Sequence, residues 1–411
     1  RIVLEAQDEY LVEHREERPG WVIERRHEEK QVVTAFGEMS YQRTYFYHKE
    51  TKSYAHLADT YAGYTPHMRV DVAAKAVLAD MATEQSYRIS GRGPEQHGWG
   101  ESLSGQTVKN IVHGAKVPPE SYNTSPGEKR LMRFLYIEAD EDHVARRGKK
   151  GHWQIPLVYV HEGVEEVDGS RKRLRKAHYF SGPYKTTDDL WFAVLDYIDN
   201  QYEMDQLERI FISGDGAAWI RSGTTIIPKS VFVLDRFHLS KYITAAVGAD
   251  RRLQAAVWEH IERNDLGGVI AALNEAQELR PERQKAISKA KRYILRQWDG
   301  IEAYNRYREE VKGCSAEGHV SHVLSARLSS RPGAWSKAGA EQMASLRAAK
   351  ANGLNIQKVY LEQQPKVEKV LRLEPTQLTK VRRGLRKNAA EMVHNMPILQ
   401  GPKSILTDVL R

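Results

Sequence analysis

The stretch Phe134-Leu-Tyr-Ile-Glu-Ala-Asp-Glu-Asp-His-Val144 decides how the rest of the chain is read. Phe134–Ile137 is short and apolar, as a buried strand is. Glu138, Asp140 and Asp142 then alternate, and in an extended chain all three point to one face. Three neighbouring acids repel one another unless cations or basic groups offset them. The alternation also suits a solvated edge strand, but the apolar run before it favours a strand that emerges from a core.

Downstream, Ile155–Val160 and Ala177–Phe180 read as two further strands. Thr187–Tyr202 follows as an amphipathic helix with Leu190, Val194, Leu195 and Ile198 facing inward. Arg209–Ser213 and Val231–Leu234 are apolar strands, the first ending in Gly214-Asp215-Gly216 and the second at Asp235. Three strands, a helix, then strands that end in acids is the order of an RNase H-like α/β core. Residues 244–305 read as helical throughout, for example at Leu253–Ile261 and Ile287–Trp298. Glu317 then opens a helix that also carries His319, His322, Arg327 and Arg331.

Upstream, residues 1–30 are densely charged and predict a short helix ending near Pro19–Gly20. Val32–Phe36, Met39–Tyr47 and Tyr54–Leu57 alternate as a small antiparallel sheet, with Gly37 and Lys49–Ser53 as turns. A helix over Val70–Ala82, the Gly/Pro-rich Gly91–Gly100 and a second helix over Ser104–His113, with Ser104 as N-cap, fit a helix-turn-helix. In such a unit the second helix lies in the DNA major groove. Pro118–Pro119 and Pro126–Gly127 mark a linker, and the tail is helical, broken by Pro365, Pro375, Pro397 and Pro402.

The 411 residues carry 62 Lys+Arg against 54 Asp+Glu, a formal net charge of +8. Residues 346–411 hold 13 Lys/Arg and 5 Asp/Glu, so the first 345 are neutral, with 49 of each sign. A neutral body with a basic tail points to a polyanion partner, and equally suits a solvated basic surface. Cys314 is the one cysteine, which excludes an intrachain disulfide and fits a reducing compartment. No signal peptide is visible, and no stretch approaches the roughly 20 apolar residues that cross a bilayer. Phosphate-loop, HExxH and GxSxG signatures are absent.

The acids carry the chemistry. An apolar strand ending at Asp215 between two glycines is a usual place for a ligand-binding side chain, and equally for a turn. Cys314, His319 and His322 are close in sequence, but without a CxxC or a second cysteine structural zinc lacks its remaining ligands. Hard carboxylate oxygens instead suit two Mg²⁺ or Mn²⁺ ions about 4 Å apart, as in two-metal phosphoryl transfer. Asp140 on a first strand, Asp215 on a fourth and Glu317 on a later helix fit the order in which an RNase H-like fold brings three acids together.

Six segments carry a family likeness: TAFGEMSYQRTYF (34–46), QTVKNIVH (106–113), LYIEADEDHV (135–144), ISGDGAAWI (212–220), VLDRFHLSKYI (233–243) and GCSAEGHVSHVLSARLSSRPGAWS (313–336). In their order and spacing the chain resembles bacterial insertion-sequence transposases of the ISLre family, within the Mutator-like group of DDE transposases. The resemblance spans nearly the whole chain. It implies a helical insertion between the second Asp and the Glu, for which the 102 positions from Asp215 to Glu317 leave room. It implies that Asp140, Asp215 and Glu317 form a metal-binding catalytic triad, with Asp142 the alternative first acid. It also implies that Asp235 and His238, matching a Cys-or-Asp, two residues, then His pattern, support the site or contact DNA. His319 and His322 are further supporting candidates.

The function so implied is cleavage of transposon-end DNA and joining of the 3′-hydroxyl to target DNA. A nuclease without strand transfer and a domesticated, non-catalytic DNA-binding protein are the alternatives. The expected partners are double-stranded DNA and further copies of the chain, as a homodimer or higher assembly, with no membrane. The expected setting is the bacterial cytoplasm at the nucleoid. Candidate DNA contacts are Gln106, Thr107, Lys109 and Asn110, then Arg327 and Arg331, then Lys380, Arg382, Arg383, Arg386 and Lys387 in the tail. The expected divisions are a charged helix and small sheet (1–65), a helix-turn-helix-like region and linker (66–128), the first part of the core (129–243), a helical insertion (244–305), the closing helix with the Glu (306–345) and a basic helical tail (346–411).

Overall fold

The computed structural model describes residues 1–96, 100–117, 129–168 and 171–365, together with 375–376, 378–379, 381–384 and 386. These form two compact units. One is built from Arg1–Ala82, Tyr87–Ile111 and the described residues from Tyr360 onward; the other from Thr83–Ser86 and Val112–Val359.

In the first unit, helix Ile2–Glu13 precedes three antiparallel strands, β1 (Trp21–Thr34), β2 (Gly37–His48) and β3 (Tyr54–Ala55). Ala35–Phe36 is a two-residue turn from Thr34 to its partner Gly37, the tight connection antiparallel strands favour. β1 begins at Trp21, so the charged run Glu24–Glu29 is strand, held by its pairing with β2 and not by an apolar pattern of its own. Leu4, Val32 and Tyr41 form one small core and Leu11, Phe46 and Leu57 another. The carboxylate of Asp59 is buried, and it is tolerated there because Lys30 Nζ reaches it at 2.9 Å and Arg43 and Tyr41 also bond to it.

Helices Val72–Glu84 and Gly105–Gly114 flank the glycine-rich stretch, which itself holds two short helical turns, Tyr87–Gly91 and Gly93–Gln96. Ser104 Oγ accepts the Thr107 N–H at 3.1 Å, the bond an N-cap serine supplies.

The second unit is a mixed α/β structure. Its five-stranded sheet comprises β4 (Phe134–Ala145), β5 (His152–His161), β8 (His178–Phe180), β9 (Arg209–Gly214) and β10 (Ser230–Leu234) in the spatial order β10-β9-β4-β5-β8. β5 runs antiparallel to β4 and to β8, whereas β9 runs parallel to β4 and to β10. A separate hairpin, β6 (Val164–Asp168) with β7 (Arg171–Leu174), follows β5; no alternation in the sequence announced it.

Alternate residues of the central strands face opposite layers. Leu135, Ile137, Ala139, Ile210 and Ile212 pack with Trp191, Val194 and Ile198 of helix Thr187–Gln201, which is started by a Thr186–Asp189 capping box. Tyr136, Phe211 and Val233 face the other way, onto Val311. A sheet covered on both faces explains why β9 is apolar at every position from Ile210 to Ile212.

Five helices then follow without a strand: Arg236–Val247, Arg251–Glu262, Leu266–Leu279, Gln284–Arg296 and Trp298–Arg306. Asp235, Asp250 and Asp265 cap the first three through side-chain bonds to backbone N–H groups. Leu253, Val257, Val269, Leu273, Ile287 and Ile294 join the core of the sheet's first face. The helix carrying Glu317 is interrupted: Ala316–Val320 is α, Ser321–Ser325 a π turn and Ala326–Leu328 α again. Position 346 falls inside helix Lys337–Ala351, where Leu346, Ala348 and Ala349 are buried, so the basic run starts within a packed helix. Among the described residues no helix is long and apolar enough to cross a membrane.

Candidate active site

β4 and β9 are paired from Phe134↔Arg209 to Glu138↔Ser213, which sets the carboxyl end of β9 beside the middle of β4. Just beyond that pairing stand Asp140 on β4 and Asp215 after β9. Gly214 allows the approach: a Cβ there would lie 2.8 Å from the Ala139 carbonyl oxygen and from Ile220 Cδ1. Gly216 has φ +88°, and a Cβ on it would meet the Gln297 amide at 2.3–2.4 Å.

The turn around Asp215 is held at three points. Asp215 Oδ1 accepts the Ala217 N–H at 2.8 Å, Tyr293 Oη donates to the Asp215 carbonyl at 2.7 Å, and Gln297 Nε2 donates to the Gly216 carbonyl at 2.9 Å. Tyr293 in turn stacks on Tyr242, with centroids 3.9 Å apart.

Asp140 is half-buried, and burial pushes its carboxyl above the usual carboxylate range. The Glu141 N–H and His238 oppose that rise, while the charges of Asp215 and Glu317 add to it. Asp140 therefore feels the charges of both other acids. Asp235 is buried at the start of helix Arg236–Val247; its Oδ1 accepts the Phe237 N–H at 2.9 Å and its Oδ2 lies 2.8 Å from His238 Nδ1. That bond raises the His238 pKa against the effect of burial, and the charges of Asp235, Asp140 and Asp215 raise it further. One turn along the same helix, Lys241 Nζ bonds Glu317 Oε2 at 3.0 Å, with both side chains half-exposed.

The other two acids of the β4 face have different partners. Asp142 Oδ1 accepts from Ser329 Oγ at 2.7 Å. Glu138 is buried among Tyr159, His161 and Ser315. His319 belongs to that cluster and not to the acids: its Nδ1 lies 2.9 Å from Tyr179 Oη, and its ring packs on Tyr159. His322 is exposed in the π turn. A three-residue spacing aligns side chains on an α-helix, and the wider π turn alters that spacing.

Of the candidate DNA contacts, Gln106 and Asn110 are exposed and bonded to each other at 2.8 Å, Thr107 bonds Ser104, and Lys109 is half-buried. Arg327 stacks over Trp335 at 4.8 Å, and Arg331 is exposed. Arg382, Arg383 and Arg386 are exposed, while Lys380 and Lys387 lie outside the described residues.

Sequence reasoning missed four neighbours of the acids. Glu141 is pushed up by burial and by the charges of Asp215 and Asp140, and accepts from Trp219 Nε1 at 2.7 Å. Lys241, Tyr293 and Gln297 reach the site from the helical segment, and nothing local in sequence marks them. Among the described residues, no three His, Cys, Asp or Glu side chains stand close enough together to hold an ion as they are placed. The donor chemistry nonetheless suits a hard cation: Asp140 is repelled by both Asp215 and Glu317, and His238 and Lys241 are nearby positive partners.

Fold and site together define a mixed α/β protein in which Asp140, within β4, lies beside the carboxyl end of the parallel strand β9, which Asp215 follows. The chain belongs to the uncharacterised protein family UPF0236, which matches residues 1–366. A UPF0236 protein of Caldanaerobacter subterraneus subsp. tengcongensis is 36% identical over 402 residues, covering 97% of this chain and 84% of that one. Another from the same organism, whose name joins eleven locus designations, is 35% identical over 401 residues with the same coverage. A UPF0236 protein of Streptococcus gallolyticus, named for the vanSb 3′ region, is 27% identical over 364 residues, covering 86% of this chain and 78% of that one. Among solved structures, the chain is similar to one in the Drosophila P element transposase strand transfer complex. The TM-score is 0.26 at 10% identity, over 83% of this chain and 90% of that one, and at that score the likeness supports no inference.

Proposed function

We propose that this protein is an RNase H-like DDE transposase. It would cleave transposon-end DNA and join the 3′-hydroxyl to target DNA. The observation that carries the reading is Asp140 on β4 beside the end of its parallel neighbour β9, where Asp215 follows, with the charges of Asp215 and Glu317 both acting on Asp140. The strand order supports it: three consecutive antiparallel strands, with two parallel strands added beside the first. The relative whose name joins eleven loci of one organism also supports it, because a self-copying element leaves many copies of its gene.

In this reading Asp140, Asp215 and Glu317 hold two Mg²⁺ or Mn²⁺ ions, which would activate the attacking oxygen and stabilise the leaving one. The chain's own residues do the rest. Asp235 accepts from His238 Nδ1 and favours the protonated ring, and only in that form does Nε2–H donate to a phosphate oxygen. Lys241 neutralises Glu317 until DNA is present and then turns its ammonium to the backbone. The helix Gly105–Gly114 would read the element ends through Gln106 and Asn110. Arg382, Arg383 and Arg386 would grip phosphates without regard to sequence. Two ends must be joined, so a homodimer or larger assembly on nucleoid DNA belongs to the same proposal.

The test is incubation of purified protein with duplex end DNA and Mg²⁺ or Mn²⁺, resolving nicked and joined products. Both products, lost in Asp215→Asn, are expected. Nicks without joining would favour a nuclease. Binding with neither product would favour a non-catalytic DNA-binding protein. Full activity in Asp215→Asn would overturn the site.

A further inference from the structure

Glu138 stands two residues before Asp140, and Ser315 two residues before Glu317. The two are bonded. Glu138 Oε2 accepts the Ser315 N–H at 2.5 Å and the Ser315 hydroxyl at 3.0 Å, and Tyr159 Oη donates to the same oxygen. Glu138 Oε1 lies 3.1 Å from His161 Nε2, and His161 is itself buried and anchored at the Gly163 backbone. Tyr159 Oη and Ser315 Oγ are 3.0 Å apart and close the network.

Glu138 is 3% exposed. A buried carboxylate is costly unless each oxygen finds donors, and apolar residues would fill such a place in a sheet more cheaply. Here both oxygens are satisfied, and one donor is a backbone N–H at the first turn of the helix that bears Glu317. That helix is short and gives way at once to a π turn, so its own hydrogen bonds fix its start weakly.

We propose that Glu138 is a positioning residue: it ties the turn that carries Glu317 to the strand that carries Asp140, and so sets the separation of the two acids. This rests on the reading that Asp140 and Glu317 hold cations together. What matters is the reach of the side chain as well as its charge. Glutamine keeps the reach and an acceptor oxygen for Ser315. Aspartate keeps the charge but falls one methylene short.

The experiment is Mn²⁺ binding to the full chain without DNA, read from the electron paramagnetic resonance of free Mn²⁺. Wild type, Glu138→Gln, Glu138→Asp and Asp215→Asn are compared, with the far-ultraviolet circular dichroism of each variant as the check on folding. Glu138→Asp should weaken Mn²⁺ binding by about tenfold or more, as losses of ligand-orienting partners do, while Glu138→Gln stays near wild type. Wild-type affinity in Glu138→Asp, with Asp215→Asn impaired, would overturn the positioning role and leave the site intact. Equal weakening in both Glu138 variants would assign the effect to charge and also overturn it. Unimpaired binding in Asp215→Asn would overturn the site itself and the inference with it.

Discussion

His238 Nδ1 lies 2.8 Å from Asp235 Oδ2, so a buried carboxylate that caps the helix also holds the imidazole three residues on. The bond raises the His238 pKa above its ordinary value. The pair's stabilisation is therefore fully present below about pH 6.5, the value in the unfolded chain, and fades as pH rises through the higher folded value. Asp235→Asn removes the largest raising effect and leaves burial opposed only by the charges of Asp140 and Asp215, so the His238 pKa should fall. A proton NMR titration of the His238 ring reads this directly.

His178 behaves in the opposite sense. Burial, then the charge of Arg130, lowers its pKa to about 4, and its ring stacks on Tyr197. Stability should be full above about pH 6.5 and fall as pH drops towards 4, because only the unfolded chain takes up the proton in that window. The loss amounts to roughly 3 kcal/mol at about 1.4 kcal/mol per pH decade. Chemical denaturation at pH 7.5, 5.5 and 4.5 should show the fall, and His178→Gln should flatten it.

Gly216→Ala forces a side chain into a left-handed backbone position already met by Gln297. The strain alone should cost about 1–3 kcal/mol. Urea midpoints should fall accordingly, and Mn²⁺ binding should fall further than stability does, because the Asp215 turn is what moves.

Lys241→Ala frees Glu317 from its one charged partner among the described residues. An exposed pair of this kind is worth about 0.2–1 kcal/mol, so Mn²⁺ affinity should rise by at most about fivefold. Unchanged or weaker Mn²⁺ binding would mean that Glu317 does not compete between lysine and cation.

Arg382, Arg383 and Arg386 are exposed on a basic segment. If each neutralises one phosphate, each alanine should lower the slope of log affinity against log salt by about 0.9 on duplex DNA. Fluorescence anisotropy from low to moderate salt, on end and unrelated sequences alike, should give the same reduction. A reduction confined to end sequences would make them base readers.

The five core strands were legible where they are apolar. Arg209–Ser213 and Val231–Leu234 are each within a residue of β9 and β10, because strands buried on both faces leave continuous apolar runs. β4 was legible only at its start. Glu138–Ala145 looks like a polar exit, yet it is strand because β5 pairs with it as far as Ala145↔His152. Trp21–Gln31 was missed for the same reason: pairing partners, not hydropathy, make it a strand. At the site, Asp215 stood out by its place at a strand end and Asp140 by its alternation with Glu138 and Asp142. Tyr293 and Gln297 did not, since they reach the backbone of the Asp215 turn from a helical segment about eighty residues away in sequence, and Lys241 did not, since its partner Glu317 is brought to it by tertiary packing. His319, a supporting candidate in the sequence, sits with Tyr179 and Tyr159, beside a π turn that the sequence does not announce.

The turn around Asp215 has the carbonyl groups of Asp215 and Gly216 claimed by Tyr293, in the last turn of helix Gln284–Arg296, and by Gln297, which joins it to helix Trp298–Arg306. Opening the turn breaks both bonds and unseats the Tyr242–Tyr293 stack. The Asp215 turn is thereby tied to the helical junction, and the two are expected to open together. Its amide protons should exchange with solvent in step with those of the helices, a single cooperative element spanning about eighty residues of sequence separation.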